Sequence, residues 1–136
     1  MKIYFAGSIW GASGDTKFNH AIIQHLKKYG SVLSEHLFTE TYKSTEHLSM
    51  EEIHDRDLKW VYEADGIVAE VTAPSLGVGY EIREAIVRGK DILCLYKPQE
   101  GKRLSAMISG ARIPVVYYKN LEEAILAVDE FMKGVR

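Results

Sequence analysis

Short apolar runs of strand length alternate along this chain with longer segments of helical period, and that alternation leaves few folds open. Residues 2–6, 31–34, 66–71, 91–96 and 113–118 are apolar runs rich in β-branched and aromatic side chains. Between and after them, residues 15–29, 50–64, 77–88 and 121–133 repeat their apolar positions with the period of a helix. In the first of these, Phe18, Ile22, Ile23 and Leu26 share a face and Gly30 marks the stop; Gly89 does the same after residue 88. Strands that are apolar throughout are buried on both faces, and strand–helix alternation makes their neighbours parallel. The expected architecture is α/β: a Rossmann- or flavodoxin-like three-layer sandwich around a five-stranded, mostly parallel sheet. The 136 residues suit one domain spanning residues 1–136. Residues 104–108 read as a short helix, and the mixed, polar stretch 37–49 as a loop or irregular lid.

Composition narrows the function classes. A formal net charge of −2 argues against a nucleic-acid polymer or an anionic membrane as the main partner. No apolar stretch approaches the roughly 18 residues of a membrane span, and the start of the chain lacks the long apolar core of a secretory signal. One cysteine, Cys94, lies in an apolar strand run and reads as a buried small hydrophobe. A cytoplasmic enzyme or binding protein is the expectation.

In parallel sheets, ligands bind beyond the carboxyl ends of the strands. That rule selects three loops: 7–14, 72–79 and 97–105. The first, Gly7-Ser-Ile-Trp-Gly-Ala-Ser-Gly14, lets backbone N–H groups approach an anion, but it equally suits a plain βα turn. The second leads through Ser75, Gly77 and Gly79 to Glu81, which is expected in the first turn of a helix, where free N–H groups favour an ionised carboxylate. Such an acid also serves merely to balance a helix end. Asp57 stands between Ile53, Trp60, Val61 and Ala64 on the apolar side of its helix, where a charge is costly unless it is partnered. Tyr4 places a hydroxyl in a run buried on both faces, so it too needs a partner and is able to orient a carboxylate. His54, one turn before Asp57, reads as a bystander, and no second His or Cys stands at metal-ligand spacing.

Taken together, Tyr4-Phe-Ala-Gly-Ser-Ile-Trp-Gly11, His54-x-x-Asp-Leu-x-Trp60, Val68-Ala-Glu-Val-Thr-x-Pro-Ser-Leu-Gly-Val-Gly-Tyr-Glu81 and Leu104-Ser-Ala-Met-Ile-x-Gly110 resemble the 2′-deoxynucleoside 5′-monophosphate N-hydrolases. These form a branch of the nucleoside 2-deoxyribosyltransferase family. The likeness runs in order from near residue 1 to about residue 118, and the segment ending at Glu81 is its most specific part. It implies hydrolysis of the N-glycosidic bond to free base and 2-deoxyribose 5-phosphate, without cofactor or metal. Glu81 corresponds to the nucleophile, Asp57 to the acid that assists departure of the base, and Tyr4 to the group that orients the nucleophile. Gly7, Ser8, Ile9, Trp10, Gly11, Ser75 and Gly77 correspond to the substrate- and phosphate-holding loops. Ser105, with Met107 beside it, corresponds to a residue reaching the neighbouring subunit's site, so a homodimer is implied.

An ionised carboxylate and a second one able to hold a proton form the pattern of retaining glycoside cleavage, through a covalent glycosyl–Glu81 ester that water then opens. Three other readings stay open: a nucleoside 2-deoxyribosyltransferase, a ribonucleotide N-glycosidase, and a nucleotide-binding module without catalysis. The transferases carry an Asp where this chain has Ser75, and a hydroxyl donates to a phosphate dianion that a carboxylate repels. Trp10 stands where the hydrolases carry an Arg, which removes a charge-assisted phosphate contact and offers a ring to stack on the base.

Overall fold

The computed structural model describes residues 1–9 and 15–136 of the chain. Strands β1 (Lys2–Ala6), β2 (Ser31–Val32), β3 (Gly66–Glu70), β4 (Asp91–Tyr96) and β5 (Val115–Tyr117) form one sheet in the order β2-β1-β3-β4-β5, every neighbouring pair parallel. The helices are α1 (Thr16–Leu26), α2 (Tyr42–Thr45), α3 (Met50–Glu63), α4 (Leu76–Val87), α5 (Ala106–Ser109) and α6 (Leu121–Gly134), with a 3₁₀ turn at Glu35–Phe38. This is the flavodoxin-like order, whose winding reverses between β1 and β3 and opens a crevice at their carboxyl ends.

Alternate strand residues serve two cores, which is why the runs are apolar without a break. Ile3, Phe5, Val68, Leu93 and Leu95 meet Ile22 and Leu26 of α1 and Val128 of α6 on one face. Tyr4, Ala6, Ile67, Ala69, Ile92 and Cys94 meet Val61 of α3 and Ile82 and Ala85 of α4 on the other. Cys94 is the buried hydrophobe expected, its thiol pushed up to about 12 by burial.

Several boundaries differ from the sequence expectation for local reasons. β2 stops at Val32, and Ser34 takes over with its side chain: its Oγ accepts from Phe5 N at 3.0 Å and donates to Phe5 O at 2.7 Å. β5 begins only after Pro114, which has no N–H for a ladder. α1 ends at Leu26, and the chain leaves it through shorter i→i−3 bonds from Lys28 N and Tyr29 N. Gly30 is required there by close approach, since a Cβ would fall 2.1 Å from Met1 O. Gly89 is the left-handed stop expected, with φ 66°. The stretch read as a loop or lid is partly helical: it holds the end of the 3₁₀ turn and α2, and it buries Leu37 and Tyr42. Among the described residues no helix is long and apolar enough to cross a membrane.

Candidate active site

α3 and α4 lie side by side on one face of the sheet, and their contacts fix the two acids. Ser49 and Glu52 close a capping box at the start of α3: Ser49 Oγ accepts from Glu52 N, and Glu52 Oε1 from Ser49 N, both at 3.1 Å. Lys90 Nζ holds the other end, donating to the carbonyls of Tyr62 (2.5 Å) and Ala64 (3.0 Å). The Tyr62 hydroxyl donates to Glu84 Oε2 on α4 at 2.9 Å. Ser75 starts α4, its Oγ accepting from Val78 N at 3.3 Å.

Between the two helices lies a cavity of about 310 Å³, lined by His54, Asp57, Leu58, Leu76, Gly77, Tyr80 and Glu81. That volume falls at the small end of the usual range for ligand pockets. Glu81 stands in the second turn of α4 and not the first, because the helix starts at Leu76. The terminus therefore does not govern its charge, and the expectation of a carboxylate held ionised by a helix start is overturned. Burial instead pushes the Glu81 carboxyl up to about 7; a hydrogen bond from Tyr4 pulls it down, and the Asp57 charge raises it again. Oε2 of Glu81 is buried with no hydrogen-bond partner among the described residues. Gly77 lies against the carboxylate, since a Cβ built there would stand 4.0 Å from Glu81 Oε1, an ordinary contact. The Tyr4 hydroxyl stays firmly protonated, because burial and then the Glu81 charge raise it far above its ordinary value.

Asp57 is half-buried, and burial raises its carboxyl. Arg56 opposes that shift: its Nε donates to Asp57 Oδ1 at 2.9 Å, while its Nη1 donates to Glu46 Oε2 at 2.7 Å. The guanidinium lies 4.9 Å from the ring centre of Trp60.

The remaining expected residues line neighbouring cavities. Ser75, Ser105 and Met107 share a groove of about 820 Å³ with Arg83 and Arg103, and Leu76 is the wall between that groove and the carboxylate cavity. Ser105 caps α5, its Oγ accepting from Met107 N at 3.2 Å. Ser8 lines a third, smaller cavity with Glu70, Thr72 and Tyr118. Gly7 is packed tightly, since a Cβ would lie 3.2 Å from the Phe5 ring. Ile9 is half-buried, and Trp10 and Gly11 lie outside the described residues. So the structure unites Tyr4, Asp57, Gly77 and Glu81, sets Ser75, Ser105 and Met107 in a groove that shares Leu76 with their cavity, and places Ser8 in a separate hollow lined by residues of α1 and the start of α6.

His54, set aside as a bystander, lines the cavity: its Nε2 bonds the Tyr80 hydroxyl at 2.9 Å and its Nδ1 bonds Asp55 Oδ1 at 2.8 Å. Its i, i+3 spacing to Asp57 was the available signal. Glu46 and Glu70 gave no such signal, because Arg56 and Tyr118, which partner them, lie on other elements, and Arg56 reads in the sequence as one more charged helix position.

The sequence profile of the family described as nucleoside 2-deoxyribosyltransferase matches residues 3–130. The chain is 48% identical over 133 residues to a protein of Trichoplax adhaerens named putative 2′-deoxynucleoside 5′-phosphate N-hydrolase 1, covering 96% of this chain and 92% of that one. It is 49% identical over 113 residues to the 5-hydroxymethyl-dUMP N-hydrolase of Danio rerio, covering 82% of this chain and 79% of that one. Among solved structures, the CMP N-glycosidase BcmB of Clostridium botulinum superposes with a TM-score of 0.69 at 18% identity, over 96% of this chain and 99% of that one. That last likeness is one of fold.

Proposed function

This chain belongs to the nucleoside 2-deoxyribosyltransferase family, and we propose that the reaction it runs there is hydrolytic: cleavage of the N-glycosidic bond of 2′-deoxynucleoside 5′-monophosphates, with Glu81 as nucleophile. It is an N-glycosidase acting on nucleoside monophosphates, as its relatives' names describe them. The observation that carries the role of Glu81 is its Oε2, a buried carboxylate oxygen without a partner among the described residues, beside a cavity that a second acid also lines. An oxygen already engaged by donors would be a poor nucleophile; this one keeps its lone pairs for carbon.

In this reading Tyr4 donates to the Glu81 carboxylate and fixes its direction. Glu81 attacks C1′, the C1′–N electron pair leaves with the base, and Asp57 supplies the assisting proton. Water then opens the glycosyl ester and releases 2-deoxyribose 5-phosphate. Leu76 at the wall between the two cavities, with Ser75 and Gly77 on either side, supports a nucleotide lying across it, with sugar at the acids and phosphate toward the serines. Arg83 and Arg103 in the groove add positive charge for that phosphate. Homodimerisation, with Ser105 presented to the other subunit's phosphate, is part of the proposal; the exposed apolar pair Leu76 and Met107 supports it.

The test is a panel of deoxynucleoside monophosphates, the matching ribonucleotides and the free nucleosides, each with and without an acceptor base. Free base and deoxyribose 5-phosphate from the deoxynucleotides alone is the expected result. Transfer to the acceptor in preference to water would replace hydrolase with transferase, and binding without release of base would remove catalysis altogether.

A further inference from the structure

A largely buried cation adjoins the reacting pair, and the roles given to Asp57 and Glu81 do not account for it. Arg56 is adjacent in sequence to Asp57, with its side chain only 18% exposed. It bonds Asp57 Oδ1 through Nε at 2.9 Å and Glu46 Oε2 through Nη1 at 2.7 Å, and also engages the Tyr42 hydroxyl and the Trp60 ring. Glu46 is itself 13% exposed, so the bridge is largely withdrawn from water. We infer that Arg56 is a positioning residue of this reaction: by bridging Glu46 and Asp57 it holds Asp57 as the anion of the carboxylate pair and leaves the exchangeable proton on Glu81. The inference deepens the proposed function and rests on its assignment of the two acids.

Two carboxylates beside one cavity share a proton, and it goes to the one with the weaker partners. The groups facing Asp57 are Arg56 on its own helix, His36 in the 3₁₀ turn, Glu46 after α2, Glu81 on α4 and Tyr4 on β1. Burial opposes its anion most and leaves the net shift upward, and Glu46 and Glu81 oppose it too; Arg56 and His36 favour it and keep that rise in check. Glu81 is faced by the Tyr4 donor and by the Asp57 charge, and it shares its cavity with His54 and Tyr80. The resting pair therefore carries its proton on Glu81. Attack needs the reverse, with Glu81 bare and Asp57 protonated. The pair reaches that form by moving one proton between the two carboxylates, with no change in net charge, and Arg56 sets how far that form lies above the resting one. Its planar guanidinium, anchored on Glu46 through Nη1, also fixes the direction of the one Asp57 oxygen it bonds, Oδ1.

Site-resolved carboxyl ¹³C NMR titration of the substrate-free protein tests this without reference to turnover. In the wild type, Asp57 is expected to titrate below Glu81. Arg56→Gln should raise the Asp57 midpoint by about 1–3 units and lower that of Glu81. Glu46→Gln should move Asp57 the opposite way, downward, and decides the matter alone if Arg56→Gln does not fold by circular dichroism. A wild-type Asp57 that titrates above Glu81, or an Asp57 midpoint that neither substitution moves, overturns the inference. Failure of the wild type to release base from any nucleotide would instead sink the proposed function while leaving the titration order untouched.

Discussion

As the proposed nucleophile, Glu81 is asked for two things that conflict. Nucleophilic attack needs the anion, while the buried setting that frees Oε2 from water and from donors favours the acid. With its carboxyl pushed up to about 7, the pair loses its one proton as pH rises through that value; because the reacting form needs that proton on Asp57, activity should fall as pH rises through about 7. The stability consequence runs the same way. A carboxyl raised in the folded state binds its proton more tightly there than when unfolded, so its contribution is full below the ordinary value of 4.5 and is lost as pH rises through about 7. Glu81→Gln is therefore expected to abolish nearly all turnover and yet to be the more stable protein at pH 8, by about 1–3 kcal/mol. Thermal melts of both proteins at pH 5 and pH 8 check it; equal stability at both would mean that the carboxyl is not strained. Tyr4→Phe removes the donor that pulls Glu81 down. It should shift the alkaline limb of kcat/KM upward and lower kcat at least about tenfold, as loss of a hydrogen bond to a charged group does. Tyr4 and Asp57 were visible in the sequence as polar groups in apolar settings, and Glu81 as an acid delivered by the loop through Ser75 and Gly79. Their protonation order was not, because it depends on burial depth and on Arg56, Glu46 and His36, which fold in from three elements.

Elements with a sustained period and a cap were readable, and the short ones were not. α3 announces itself through the Ser49–Glu52 box and β4 through an unbroken apolar run. α2 has only four residues, too few to show a period, and is placed by the burial of Tyr42 and by the Glu46–Arg56 bridge beside it. The loop from β3 into α4 is a further case. Glu70 ends β3 and is 9% exposed; its Oε2 accepts from the Tyr118 hydroxyl at 2.5 Å and its Oε1 from Thr72 N at 2.6 Å. Thr72 Oγ1 in turn accepts from Lys97 N at 2.8 Å. One buried acid thus ties together the ends of β3, β4 and β5 under the loop that delivers Ser75 and Gly77. Tyr118→Phe should cost about 1.5–3 kcal/mol, since it strips a donor from a buried, partly charged group. The midpoint of a urea titration measures that loss, and a change below about 0.5 kcal/mol would show that the hydroxyl is dispensable.

The whole molecule presents a question that one chain cannot answer by itself. Leu76 is 97% exposed and Met107 82%, and both line the groove that holds Ser75 and Ser105; Val87, 62% exposed, lies at the far end of α4. In the sequence each reads as one more apolar position of an amphipathic helix; only the fold shows Leu76 and Met107 left uncovered together. In a two-fold dimer the same pair meets its copy, and Ser105 of each subunit is presented to the other's phosphate. Ser105→Ala should then lower kcat/KM roughly 10–150-fold, the worth of a hydrogen bond to a charged group. Whether the serine acts within its own chain or across the interface separates cleanly in a mixture. Glu81→Gln protein is inactive but supplies an intact Ser105, and Ser105→Ala protein supplies an intact Glu81. A hybrid dimer of the two contains one site with both groups present only if the serine crosses the interface. Subunits mixed after partial unfolding and refolding should therefore recover activity well above that of Ser105→Ala alone, at up to one good site in each hybrid. If the serine acts within its own chain, no hybrid site has both groups, and the mixture never exceeds the sum of its parts.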